Sequence, residues 1–143
     1  MKTLLLGVAT VLVLTSPSSA ADPSRVGGQQ LVREYLDDTN GAIAKYARKP
    51  IQIDGVFEQS NQSGAETLFM RLDGKTEKKT LPIDCMLKGT DAKTNYPFKK
   101  GDAVSIVGTW DGSLYLGSYI SIFPCKVVTG KGSAASAAAA LAP

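Results

Sequence analysis

Apolar residues recur with a period of two in five short runs after Pro50, each bounded by turn-forming residues, the pattern of half-buried strands. The first run sets Ile51, Ile53, Gly55 and Phe57 on one side and ends in the polar loop Ser60-Asn61-Gln62-Ser63-Gly64. The second sends Leu68, Met70 and Leu72 inward and Thr67, Phe69 and Arg71 outward, with Asp73-Gly74 as a hairpin signal. The third directs Leu81, Ile83, Cys85 and Leu87 inward and Asp84 and Met86 outward, with Pro82 near its unpaired start. After a longer connection, Lys88 to Gly101, the fourth run carries Val104, Ile106, Gly108 and Trp110 inward, and Asp111-Gly112 is read as its turn. The fifth carries Leu114, Leu116, Ile120 and Ile122.

Upstream, the spacing becomes helical from Gln29 to Ala47. Val32, Leu36, Ile43 and Tyr46 share a stripe in which Thr39 fills the gap. Asn40-Gly41 interrupts it, which predicts one kinked helix or two short ones, and Pro50 ends it. Glycines inside the first and fourth runs let a coiled strand bend, and the longest connection falls between runs three and four. The expected fold is therefore mainly β with an N-terminal helix, a five-stranded OB-fold Greek-key barrel over residues 29–129.

The two ends read differently. Lys2, the apolar stretch Leu4 to Leu14 and the small residues up to Ala20 have the three parts of a signal peptide, residues 1–20, cleaved after Ala20. The apolar stretch spans about half of the roughly 30 Å hydrocarbon layer, too little for an anchor. No cysteine lies near the cut to carry a lipid, and no later segment is apolar enough to cross a bilayer. The expected location is periplasmic or extracellular, and the protein is not expected to be an integral membrane protein. Residues 21–28 are expected to be a flexible leader and the Gly/Ser/Ala-rich residues 130–143 a disordered tail.

Composition narrows the chemistry. Sixteen Lys and Arg against 13 Asp and Glu give a net charge of +3, far from a dense cationic nucleic-acid binder. The chain has no histidine, which removes the commonest general base, the Ser-His-Asp and Cys-His nucleophile sets and His-containing zinc sites. Asp37-Asp38 are adjacent on a helix, where successive side chains diverge, so they form no carboxylate pair. No phosphate loop or nucleophile elbow is present. No catalytic residue, metal or cofactor is expected, and the chain reads as a binding protein rather than an enzyme. Export places Cys85 and Cys125 where disulfides persist, and with no other cysteine they are expected to bond to each other. The third and fifth strands are neighbours in such a barrel, which permits the bridge.

Three blocks of residues resemble a known family. Asn40, Ala44, Tyr46, Lys49, Ile51, Ile53, Gly55 and Val56 form the first, and Ile83-Asp84-Cys85 the second. Phe98-Lys99-Lys100-Gly101-Asp102-Ala103-Val104-Ser105-Ile106-Val107-Gly108, with Cys125 beyond, forms the third. Over roughly residues 31–128 the chain resembles the tRNA-anti-like OB-fold proteins, small exported bacterial proteins named for their likeness to anticodon-binding domains. The resemblance implies the fold and export; it brings no activity and no catalytic residue.

OB-folds commonly bind on the outer face of strands two and three. Here that face offers Phe69, Arg71, Asp84 and Met86, with Asn61 and Gln62 at the rim and Trp110 beside the last hairpin. The alternatives are that Phe69 packs under the helix and Trp110 plugs the barrel end. A mixed apolar and charged surface suits a protein or peptide partner in the cell envelope. The alternative ligand is single-stranded nucleic acid or an oligosaccharide. Lys75, Lys78 and Lys79 extend a basic edge, but Asp73, Glu77 and Asp84 interrupt it. Tyr115 and Tyr119 offer rings for sugars unless the N-terminal helix covers them.

Overall fold

A computed structural model of the chain describes residues 23–128. The signal peptide with its cut after Ala20, and the tail from residue 130, lie outside the described residues. The elements are β1 (Ser24–Gly27), α1 (Gly28–Asp37), α2 (Thr39–Tyr46), β2 (Pro50–Gln62), β3 (Thr67–Leu72), β4 (Ile83–Lys88), α3 (Thr90–Lys93), β5 (Ala103–Tyr115) and β6 (Tyr119–Val127). Among the described residues no helix is long and apolar enough to cross a membrane.

The expected barrel is present, built from β2 to β6. β2 pairs antiparallel with β5 through Pro50–Val56 and with β3 through Phe57–Gln62, and a register shift between Phe57 and Gln59 lets one strand serve both neighbours. β3 pairs antiparallel with β4, β4 parallel with β6, and β6 antiparallel with β5, which closes the ring. This circuit is that of an OB-fold. Its interior is the set anticipated from alternation, with Ile51, Ile53, Met70, Leu72, Ile83, Leu87, Ile106, Ile120 and Ile122 fully buried.

The Cys85–Cys125 disulfide joins β4 to β6 with its Cα atoms 5.6 Å apart. Gly108 is required where β6 crosses β5: a Cβ there would stand 2.3 Å from the Pro124 carbonyl oxygen.

Three elements differ from expectation. Residues 24–27, expected as mobile leader, form β1, which adds parallel to Ile51–Asp54 of β2. The Arg25 guanidinium pairs with the carboxylate of Asp54, which is fully buried and also accepts a hydrogen bond from the Ser105 hydroxyl. A buried carboxylate without such partners is costly, so this pair ties β1 to the barrel.

The helical segment breaks at Asp38 rather than at Asn40-Gly41. The Asp38 carboxylate accepts from the Gly41 amide at 3.0 Å and caps α2, which leaves Asn40-Gly41 inside its first turn. Thr39 is exposed rather than part of the buried stripe, and its hydroxyl donates to the Tyr35 carbonyl.

Asp111-Gly112 is not the last hairpin turn. Gly112, at φ 94°, serves a register shift between Trp110 and Leu114, so β5 runs on to Tyr115. The chain reverses at Leu116-Gly117-Ser118, and Leu116, expected inward, is 83% exposed.

Candidate functional site

The outer face of the barrel is set by the same alternation that fills its core. In the β2–β3–β4 register Asn61 lies opposite Phe69 and Phe69 opposite Met86, while Gln59 lies opposite Arg71 and Arg71 opposite Asp84. Asp84 is in register with Ser121 of β6, which brings Tyr119 to the same face. Gln59, Asn61, Phe69, Arg71, Asp84 and Tyr119 line a cleft of about 200 Å³.

Its centre is an ion pair. The Arg71 guanidinium donates from Nε to Asp84 Oδ1 at 2.7 Å and from Nη2 to Oδ2 at 2.8 Å, a bidentate fork. Asp84 is buried beneath it, with 4% of its surface exposed. The hydrogen bond to Asp84 raises the affinity of Arg71 for its proton against the opposing effect of burial. The same guanidinium lies over the Tyr119 ring, 5.6 Å from its centroid. Partial burial, with Asp84 and Tyr115 nearby, pushes the Tyr119 phenol above its usual value of 10.0. Tyr115 and Tyr119 pack at 5.2 Å between centroids and continue the aromatic stripe toward the β5–β6 hairpin.

The sequence-derived site is thus assembled in part. Asn61, Phe69, Arg71 and Asp84 come together in the cleft, and Met86 flanks Phe69. Asp84 reaches the outer face as expected, yet it is buried there because Arg71 covers it.

Two residues do not join them. Gln62 pairs with the inward-facing Leu68 and lines a different depression with Tyr96 and Thr94. Trp110 is fully buried; its indole N–H donates to the Ser113 carbonyl at 2.7 Å, and Tyr35 of α1 meets it edge-on at 5.7 Å. It plugs the end of the barrel, as the alternative reading had it. The helices close over Trp110 and leave Tyr115 half exposed, so they do not cover the tyrosines. Gln59 belongs to the cleft and was not among the candidates; Tyr119, named with Tyr115 only as a ring for sugars, belongs to it as well. The alternation already put Tyr119 outside, and only the β4–β6 pairing sets it beside Arg71.

Chemically the face offers planar aromatic surface, amide groups and a carboxylate whose charge is matched in place. Among the described residues no group of three His, Cys, Asp or Glu is placed to hold a metal ion.

No curated protein matches the chain. Among solved structures, a lipoprotein from Klebsiella pneumoniae subsp. pneumoniae, provisionally assigned to nucleic-acid binding, superposes with a TM-score of 0.51 at 16% identity, covering 75% of this chain and 92% of that one. At that identity the likeness bears on the fold. Yeast Stn1 and Ten1 superpose with a TM-score of 0.43 at 13% identity, covering 84% of this chain and 70% of that one, and add nothing to the fold traced above. The tRNA_anti-like family model matches residues 8–122, most of the sequence, and the chain belongs to the tRNA_anti-like family.

Proposed function

We propose that the chain is an exported, non-enzymatic binding module of the cell envelope, and that the outer face of β3, β4 and β6 engages a protein or peptide. Export rests on the basic, apolar and small-residue sequence of residues 1–20, with the mature chain beginning at Ala21. The observation that carries the choice of ligand is the Arg71–Asp84 fork at the centre of the cleft. A phosphate backbone is held by cations with charge to spare. Among the described residues the one cation lining the cleft, Arg71, is already neutralised, and what remains is aromatic and amide surface of the kind enriched in protein interfaces. Phe69 and Tyr119 around Arg71 also support a second reading, stacking of single-stranded bases, which is in line with the description of the Klebsiella neighbour.

Fluorescence anisotropy with labelled single-stranded DNA and RNA at about 50 and 200 mM salt separates the two readings. The protein reading expects no saturable binding. It also expects a photo-crosslinking residue at position 69, in the host envelope, to capture peptide. Oligonucleotide binding that collapses with salt and is lost in Phe69→Ala would overturn it.

A further inference from the structure

The Tyr115–Tyr119 pair divides two clefts: Tyr119 lines the one around Arg71, and Tyr115 lines a second on the β5–β6 hairpin. Along β5, Thr109, Asp111, Ser113 and Tyr115 alternate with Trp110 and Leu114, which turn to the core; on β6, Ser121 and Phe123 flank the buried Ile122. These six outward residues line a cleft of about 190 Å³. Two aromatic rings, three small hydroxyls and one carboxylate make up its lining. Among the described residues no Lys or Arg lines it, and from Gly112 to Phe123 the sequence carries no charge.

The polar groups are fixed. Asp111 Oδ1 accepts from the Ser113 N–H at 2.8 Å and from the Ser113 hydroxyl at 2.7 Å, while among the described residues no side chain donates to Oδ2. The Ser113 backbone bond first, then its hydroxyl, hold the Asp111 carboxyl below its usual value of 3.8 against the effect of burial, and the charge of Arg48 adds to this. The Ser113 carbonyl in turn accepts from the buried Trp110 indole at 2.7 Å, which ties the arrangement to the barrel. Tyr115 and Phe123 keep 52% and 51% of their surface in water.

This chemistry selects a ligand. A fixed carboxylate with no lining cation repels phosphates and other acids, which sets nucleic acids and anionic lipids aside. A wholly apolar ligand would cover the hydroxyls without bonding them, at a cost. A pyranose has the matching parts. The C–H groups of its face, slightly positive, lie against the negative face of an aromatic ring. Its hydroxyls donate to the open carboxylate oxygen and exchange hydrogen bonds with Ser and Thr, which both donate and accept. A cavity of roughly 150 Å³ admits benzene, so a six-membered ring fits this cleft. Phe123 lies roughly 13 Å along β6 from Tyr119, the residue opposite Tyr115, so the two rings stand at the ends of a row longer than one sugar.

We propose that the Tyr115–Phe123 cleft binds a neutral glycan, with a pyranose face on an aromatic ring and sugar hydroxyls donating to Asp111 Oδ2. The site is separate from the face assigned above to a protein. The test is an NMR titration of the isotope-labelled full mature chain with triacetylchitotriose and maltotriose, and with trigalacturonate as the acidic counterpart. The expected result is saturable shifts of the Ser113, Tyr115, Ser121 and Phe123 amides with at least one neutral trisaccharide, at a Kd of about 0.1–5 mM for so shallow a site. Trigalacturonate should bind at least about tenfold more weakly. Asp111→Asn and Phe123→Ser should each weaken the neutral sugar about tenfold. Asparagine keeps an oxygen for Ser113, and unchanged Trp110 emission shows the hairpin intact; Phe123→Ser acts from the other strand. No saturable shift with either neutral sugar up to about 20 mM overturns the proposal. So does binding that ignores either substitution, or trigalacturonate bound as tightly as the neutral sugars. Shifts confined to Phe69 and Arg71 and lost in Phe69→Ala also overturn it, moving the sugar to the other cleft. Phe69→Ala should leave this binding intact, which separates failure here from failure of the protein reading.

Discussion

Breaking the Cys85–Cys125 bridge removes the covalent tie across the β4–β6 seam while leaving that strand pairing in place. The two cysteines are 40 residues apart in sequence, and both are buried. Restoring that loop to the unfolded chain stabilises the unfolded state by about 4 kcal/mol, taking the closure entropy for a loop of this length. For a domain near 100 residues, 1 kcal/mol moves the midpoint by about 4–8 °C, so the loss is about 15–30 °C. The assay is thermal unfolding by circular dichroism of the mature protein with and without reductant, beside Cys85→Ala/Cys125→Ala. Reduced wild type and the double variant should melt near each other and well below the oxidised protein. Urea titration should also show a larger m-value without the bridge, because the unfolded chain exposes more surface. Midpoints for the oxidised and reduced forms within 3 °C of each other would refute the reasoning.

Three further outcomes follow from the packing. Arg71→Met strips the partner from the buried Asp84 carboxylate and should cost about 2 kcal/mol in urea unfolding, less than a fully buried pair because Arg71 touches solvent; Arg71→Met/Asp84→Leu should recover most of it. Trp110, the only tryptophan in the chain, is fully buried, so its emission should be blue-shifted and poorly quenched by acrylamide; ready quenching would place it back at the surface. Glu34 joins α1 to α2. Burial pushes its carboxyl up, but hydrogen bonds from Gln30, Lys45 and Tyr46 outweigh this and hold it below its usual value of 4.5. A carboxylate whose folded value is depressed stabilises above its unfolded value and loses that contribution as the pH falls through the folded one. The gap in melting temperature between wild type and Glu34→Gln should therefore be full at pH 6 and close below about pH 4; a gap that ignores pH contradicts the assignment.

Much of the barrel was legible because its strands bury one face. Leu68, Met70 and Leu72 alternate with Thr67, Phe69 and Arg71, and a register slip would turn the whole set outward. What escaped depends on partners distant in sequence. Asp54 reads as an outward residue between Ile53 and Gly55, and its burial follows only from β1, a strand of four residues too short for any periodicity. Asp111-Gly112 has the chemistry of a hairpin turn, but a positive φ serves a bulge equally well, and the β5–β6 register decides between them. In the cleft, the pattern identified Phe69, Arg71 and Asp84 as one face, while the pairing of Arg71 with Asp84, and so the loss of its free charge, came from their being cross-strand neighbours.

The parallel addition of β1 has a consequence for the order of events during synthesis. Ser24–Gly27 leaves the ribosome well before Ile51–Asp54, the stretch it must lie against, so the first strand made waits for a template that comes later. Until they meet, the outer border of β2 stays unoccupied and Asp54 has no cation to accept it. A chain in which β2 is made but β1 has not docked presents a sticky sheet margin, and its own N-terminal strand is the segment shaped to seal it.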